Sequence, residues 1–486
     1  MKASVPDKVW VSSWHWRQFI YCHSMNAMDK PYKLSLHIFR RDLRLQDNTA
    51  LINALNMSEA VIPCFIFDNR QVGANDYKSN SCLQFMATSL QELDQHLQTK
   101  GSRLFCFDGI AENIIAELLA SHQIDAVFCN RDYTPFSRKR DANIAAACKK
   151  ANVNFHVYAD ALLHEPEECI KANGEPYTIF THFFKNASQL AVAEPVVNRS
   201  NHYYQQTLPE STHNTLDKLL KIYNPNLVVK GGRKEGQQLV KKIANIRNYK
   251  DDRNYPDKSA VTHLSAHHKF GTISIRETYA FIAGTLGRQH TLINELYWRD
   301  FFTHIAYHFP RVFGTSFHEK YDKLPWNSNE QLLRAWCDGM TGFPIVDAGM
   351  RELKTTGYMH NRVRMVTASF LTKDLLIDWR LGEKYFAQQL VDYDPAVNNG
   401  NWQWSASTGC DAQPYFRIFN PWLQQQKFDP DCLYIKRWIP ELAHHTPQEI
   451  HQLLEKQPKR MSNYPQPIID HRAASEKAKR IFKQIS

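Results

Sequence analysis

Residues 33–39 read KLSLHIF and residues 61–67 read VIPCFIF. Both runs are apolar, rich in Leu, Ile, Val and Phe, and of the length of a buried strand. Leu83, Met86, Leu90, Leu93 and Leu97 then recur at helical spacing. Further strand-like runs lie at 103–107, 125–129 and 153–158, with a helix expected over 138–149. This alternation predicts βαβ units, and so an α/β half built on a doubly wound parallel sheet with helices on both faces. No G-x-G-x-x-G follows the first strand, so a dinucleotide held in the usual way on the first helix is not expected here.

The chain of 486 residues is long enough for two or three domains with sizeable cores. Residues 1–30 carry charge throughout and lack an apolar signal core, and read as an extension, disordered or an over-long start. The apolar runs fall short of the ~20 residues of a membrane span, so no membrane partner is expected. Ten cysteines are scattered without a C-x-x-C pair, as in a reduced cytoplasmic protein. A net charge of +10 raises the odds of a polyanionic partner such as DNA or RNA.

After the α/β half (31–165), composition shifts. Asn, Ser, Pro and Gly fill 195–235, and 166–235 reads as an interdomain linker. Residues 236–486 carry helical periodicity with few strand signals, so the second half is expected to be all-α. No Walker A loop, G-x-S-x-G, H-E-x-x-H or zinc ribbon is present, and no metal site is expected. His267-His268 and His444-His445 read as surface histidines.

What remains lies in the helical half. TLINELYWRDFFTHI puts Glu295 and Trp298 three apart on one helix face. That Glu either points to solvent or sits in a pocket with hydrogen-bond partners, since bare burial is costly. GYMHNRVRM sets Asn361 and Met365 on one face with Arg364 beside them, either lining a cavity or bridging helices. Downstream, Asp392 and Asp394 precede NNGNWQWSASTG (398–409), where two indoles stand among Asn, Gly and Ser. This segment fits neither strand alternation nor a good helix interior. A buried Arg364–Asp392 pair is expected.

FRRDLRLQDNTAL, NELYWRDFF, GYMHNRVRM and NNGNWQWSASTGCDAQPYFRIFNP together resemble the photolyase/cryptochrome family, in order and spacing, over residues 33–470. The resemblance implies an α/β antenna domain, a linker and a helical domain holding FAD, active as FADH⁻. Asn361, Met365, Trp404 and Asn398 resemble the class I cyclobutane pyrimidine dimer photolyases rather than the (6-4), DASH or plant cryptochrome branches. By that resemblance Glu295, Trp298, Asn361, Met365 and Trp404 form the substrate site. Trp402, Trp379 and Trp326 form an electron path. Tyr249, Thr262, His263, Leu264, Ser265, Arg364, Asp392, Tyr393, Asp394 and Asn398 contact the flavin. Arg253 and Arg417, with Glu295, Trp298, Asn361 and Trp404, contact DNA. Thr262-His263 departs from the Ser-Arg pair common in relatives, which puts a phosphate contact from His263 in doubt.

The partner implied is UV-damaged DNA, and a monomer, nucleoid-associated when bound, is expected. An antenna chromophore is expected, its identity open among folate, deazaflavin and flavin, because Thr134 stands where folate binders carry an acid. The alternatives are a cryptochrome-like blue-light photoreceptor without repair activity and a nucleic-acid-binding flavoprotein without catalysis. The short basic segment HRAASEKAKRIFKQIS after the homologous region favours repair, as does the joint presence of Glu295, Asn361, Met365 and Trp404.

Overall fold

A computed structural model describes residues 30–258, 260–453 and 463–485. The expected extension lies almost wholly outside these residues. Five parallel strands, β1 (Tyr32–Phe39), β2 (Ser58–Phe67), β3 (Phe105–Asp108), β4 (Ala126–Asn130) and β5 (Asn154–Tyr158), pair in the order β3-β2-β1-β4-β5. Alternate residues leave on opposite faces. Phe39, Val61, Phe65 and Phe128 pack under α1 (Thr49–Met57) and α2 (Asn80–Gln98). Leu36, Ile38, Ile62, Cys64 and Val127 pack under α3 (Ala111–Ser121) and α4 (Pro135–Lys150). The doubly wound sheet expected from the sequence is therefore present, with its switch point between β1 and β4.

The region read as an interdomain linker packs on both halves, Phe180 and Phe183 joining a core cluster of the helical half and its later part the first half. Tyr203 bridges alongside Val61, with Val61 N–H donating to His202 O and Tyr204 N–H to Val61 O, each at 2.8 Å. Tyr203, Leu216, Leu219, Leu227 and Val229 join the core over α2. Two short helices, Phe180–Ala187 and Asn214–Leu220, also form within it. Its polar composition concealed a set of apolar anchors spaced too irregularly to show a period.

The second half is helical. Its main elements are α5 (Ile275–Thr285), α6 (Thr291–His308), α7 (Pro344–Thr356), α8 (Asn361–Ser369), α9 (Trp379–Gln389), α10 (Pro395–Ala406) and α11 (His471–Ile485). A π-helical turn, Phe370–Asp374, continues α8. The two halves meet through a buried charge cluster. Arg276 on α5 donates to Asp47 Oδ2 at 3.0 Å and Asp160 Oδ1 at 2.8 Å, and Arg44 donates to Asp160 Oδ2 at 2.6 Å. Burial alone would raise the Asp160 carboxyl, but the two guanidinium groups outweigh it and hold it at about 2.

Candidate cofactor and DNA site

The site is assembled where α10 packs against α6, α8 and α9. On α6, Glu295 and Trp298 share a face as expected. Glu295 is ion-paired with Arg253, which also lies 5.6 Å from the centroid of the buried Tyr249 ring. Burial pushes the Glu295 carboxyl above its ordinary range, with Arg253 pulling the other way. Trp298 is stacked on Phe180 at 3.6 Å and 7°, and Phe302 tilts against it at 5.5 Å. One broad face that the sequence left for a base is thus already taken. Phe180 comes from the polar-looking connection and gave no signal of this in the sequence.

At the head of α8, Asn361 is exposed and Met365 half-buried one turn on. His360 caps the helix, its Nδ1 accepting from Arg362 N–H at 3.2 Å. The neighbouring rims are tied in register. Arg253 holds Glu295, and the next residue, Asn254, accepts from Arg362 Nη2 at 2.6 Å, so α6 and α8 are joined beside Asn361. The expected Arg364–Asp392 pair forms at 3.0 Å. Asp392 also accepts from Ser265 Oγ at 2.6 Å. Leu264 is buried, and Thr262 Oγ1 accepts from its N–H at 3.4 Å. His263 sits at φ 55°, tilted on the Tyr358 ring at 4.7 Å, with burial and Arg364 lowering its pKa.

NNGNWQWSASTG is helical up to Ala406, against expectation. Asp394 caps α10 by accepting from Ala396 and Val397 N–H, Pro395 suits the first turn, and Ser407 closes it at φ 63°. Asp394 also pairs with Arg41 of the α/β half, so both its oxygens are engaged in holding α10 and the seam. Trp402 and Trp404, two apart on a helix, point roughly 200° apart. Trp402 is buried against Phe386 (4.9 Å) and Trp336 (6.1 Å), while Trp404 is half-buried. Gly400 lets α10 approach α6, since a Cβ there would fall 2.1 Å from Phe302. Trp379 is buried at the start of α9 and Trp326 is half-buried, both within or against the same apolar cluster as Trp402. Tyr393 stacks on Tyr77 at 6.1 Å. Arg417 lies exposed beside the exposed Phe416.

Asn398 donates through Nδ2 to Glu383 O at 3.1 Å and Glu383 Oε1 at 3.0 Å, which leaves Oδ1 as its free acceptor. Burial pushes the Glu383 carboxyl up to about 7. His263 Nδ1 and His360 Nε2 are buried without hydrogen-bond partners among the described residues. An unspent amide oxygen, a paired guanidinium and unpartnered imidazole nitrogens suit a ligand with ring N–H, carbonyl and phosphate groups, so these residues fit a flavin nucleotide. His267 and His268, expected on the surface, are buried and bond Thr272 Oγ1 (2.7 Å) and Thr278 Oγ1 (2.8 Å). Of the second pair, His444 is exposed and His445 half-buried.

Known proteins give the same reading. Residues 35–199 match the family model described as DNA photolyase, and 292–484 match the FAD binding domain of DNA photolyase. A deoxyribodipyrimidine photo-lyase of Synechococcus sp. is 38% identical over 465 residues, 92% of this chain and 96% of the relative. The crystal structure of an archaeal photolyase from Sulfolobus tokodaii, with two FAD molecules, is 43% identical with TM-score 0.85, covering 93% of this chain and 100% of that one. A class III photolyase from Agrobacterium tumefaciens is 33% identical with TM-score 0.85, covering 95% and 99%. The chain belongs to the DNA photolyase family. It is a lyase of that family with FAD as its cofactor.

Proposed function

We propose that this chain is a deoxyribodipyrimidine photo-lyase acting on cyclobutane pyrimidine dimers in DNA. The observation that supports the reading is the tie between Arg253-Asn254 and the pair Glu295/Arg362, which joins α6 at Glu295 to the head of α8 beside Asn361. A dimer stacks and pairs poorly, so extruding it costs less than flipping a normal base. Trp404 supplies the stacking face, with the edge of Trp298 opposite. Glu295, whose carboxyl burial shifts upward and Arg253 pulls down, faces the dimer carbonyl that gains charge and would donate to it once it has taken up a proton, and Asn361 bonds the imide edge. Met365 fills the floor one turn below. Bound FAD, reduced, supplies the light-driven electron.

The cofactor residues proposed are Tyr249, Thr262, His263, Leu264, Ser265, Arg364, Asp392, Tyr393 and Asn398, with Asp394 acting through its hold on α10. With its Nδ2 engaged by Glu383, Asn398 would offer Oδ1 as an acceptor to a protonated ring nitrogen of the flavin. Trp402, Trp379 and Trp326 carry electrons inward from the surface. Arg417 binds phosphate. Arg253, already engaged, positions Glu295 and reaches phosphate only on release from it.

A second chromophore is proposed at the carboxyl ends of β1 and β4, the usual place for a ligand in such a sheet. There the buried Arg40 Nη2 and Arg140 Nη2 have no partner among the described residues, and Thr134 caps α4. A flavin-like ring is favoured by the Sulfolobus tokodaii structure. The protein is proposed to work as a monomer in the cytoplasm, at the nucleoid. No helix among the described residues is long and apolar enough to cross a membrane. The functional units are proposed to be 31–165 and 236–486, joined by 166–235.

The test uses photoreduced protein and an oligonucleotide with one cyclobutane thymine dimer, in light and in darkness, with a (6-4) lesion as control. Light-dependent loss of the cyclobutane dimer alone is expected. Loss of neither lesion, with FAD bound, would overturn the assignment.

A further inference from the structure

Helix α11 is pinned at both ends. At its start His471 is ion-paired with Asp374 of the π-helical turn. Near its far end Phe482 is fully buried and stacked on Tyr415, with centroids 6.0 Å apart and planes at 10°. Two residues beyond Tyr415 stands the exposed Arg417. The far end of α11 is thereby docked on the segment proposed above to reach DNA phosphate.

The outward face of α11 is a cationic stripe. Ser475, Ala478 and Phe482 are buried, while Arg472, Glu476, Lys477, Arg480 and Lys483 are exposed. The one acid of the helix, Glu476, is paired with Lys479 at 2.9 Å. Arg472, Lys477, Arg480 and Lys483 form no ion pair of their own among the described residues. A helix that is merely solvated gains from acids placed three or four residues from its bases, and here the acid is already engaged. Helix stability does not account for the stripe either. Lys483, in the last turn, suits the negative end of the helix dipole, but Arg472, in the first turn, stands at the positive end, where a cation costs stability. At about 1.5 Å per residue the stripe from Arg472 to Lys483 is about 16 Å long, the length of about five base pairs of duplex.

We propose that the outward face of α11 is a docking surface for the phosphate backbone of duplex DNA beside the lesion, continuous with Arg417. This rests on the reading that the chain acts on damaged DNA. Four cations on a helix fixed at both ends match a row of phosphates and offer no means of reading bases. Their contribution is to affinity and orientation, through released counterions, and is the same for damaged and undamaged duplex. The cavity holds the lesion, and the stripe holds the arm of duplex that leads away from it.

The test is binding of the FAD-loaded full chain, by fluorescence anisotropy over a range of salt, to a duplex several turns long and to a short one covering only the lesion and its immediate neighbours. Each is used undamaged and with one cyclobutane thymine dimer. Arg472→Gln, Lys477→Gln, Arg480→Gln and Lys483→Gln are combined in one variant. Lys149→Gln, Lys150→Gln, Lys218→Gln and Lys221→Gln, four exposed cations elsewhere on the surface, are combined in a second of equal net charge. The stripe variant should bind the long duplex, damaged or not, about ten-fold or more weakly, with the slope of log affinity against log salt reduced by at least about 2. Light-driven repair of the short duplex at saturation should be unchanged. The second variant should bind as the unaltered protein does. Melting temperature and flavin content check each fold. An unchanged slope in the stripe variant, or equal losses in the two variants, would overturn the surface while leaving the repair reading intact. Absence of salt-dependent DNA binding by the unaltered protein would instead remove the DNA reading, and the surface with it.

Discussion

The guanidinium of Arg253 holds the carboxylate of Glu295 on α6, and that carboxyl is still held above its ordinary range by burial. Removing the cation deletes the influence that opposes protonation. Arg253→Ala should therefore shift the Glu295 titration further upward, read by carboxyl NMR or infrared difference spectra. Glu295→Ala should slow repair by roughly 10²-fold, the usual cost of one lost donor to developing charge, with far less effect on DNA binding. Equal losses in both would contradict the role given to Glu295.

Glu383 makes a pH prediction with a definite sign. Its folded-state value is about 7 against an ordinary value of 4.5, so the folded protein binds the extra proton between those limits. The stabilisation is complete below the lower limit and is lost as pH rises through the upper one. The loss should be on the order of 3 kcal/mol. Glu383→Gln keeps an acceptor for Asn398 but cannot titrate. Denaturant melts on both sides of this window should show a smaller pH dependence in the variant, by about that amount.

Gly400→Ala should destabilise the protein by about 1–3 kcal/mol, because the added methyl meets the Phe302 ring. A helix interior normally gains from this substitution, so the expected sign is opposite to the propensity effect. Thermal unfolding decides between them.

Arg276→Met removes the cation shared by Asp47 and Asp160. A buried pair broken on one side typically costs about 3–5 kcal/mol. Urea denaturation should show that loss.

Arg417→Ala should weaken binding to damaged and undamaged DNA alike and reduce the slope of log affinity against log salt by about 1, as for one lost phosphate contact. A selective loss for the lesion would place Arg417 at the dimer instead.

The sheet was legible because period and length agree in KLSLHIF and VIPCFIF, and the helical half because its apolar spacing is long and regular. The Arg364–Asp392 pair was legible as two opposite charges in polar-rich segments. Trp402 and Trp404 were placed on a non-helical segment because Asn, Gly and Ser are poor helix residues. Their helix is instead set by the Asp394 cap, Pro395 and packing on α6 and α9. The Arg41–Asp394 pair joins residues 353 apart, a separation at which no local pattern exists. The His267 and His268 partners, Thr272 and Thr278, left no period to read. Phe180 under Trp298 was hidden for the same reason as the rest of the linker, its apolar anchors being isolated among polar residues.

Arg276 in one half and Asp160 in the other share a single buried cluster, and Tyr203 of the connection is stitched beside Val61. The two halves are therefore inherited as one unit. A recombinant that took its first half from one relative and its second from another would have to match charges across the seam, or bury Asp47 without its counterion and leave Asp160 with Arg44 alone. The ordinary modular traffic of domains between genes is closed to this pair unless both sides of the seam change together.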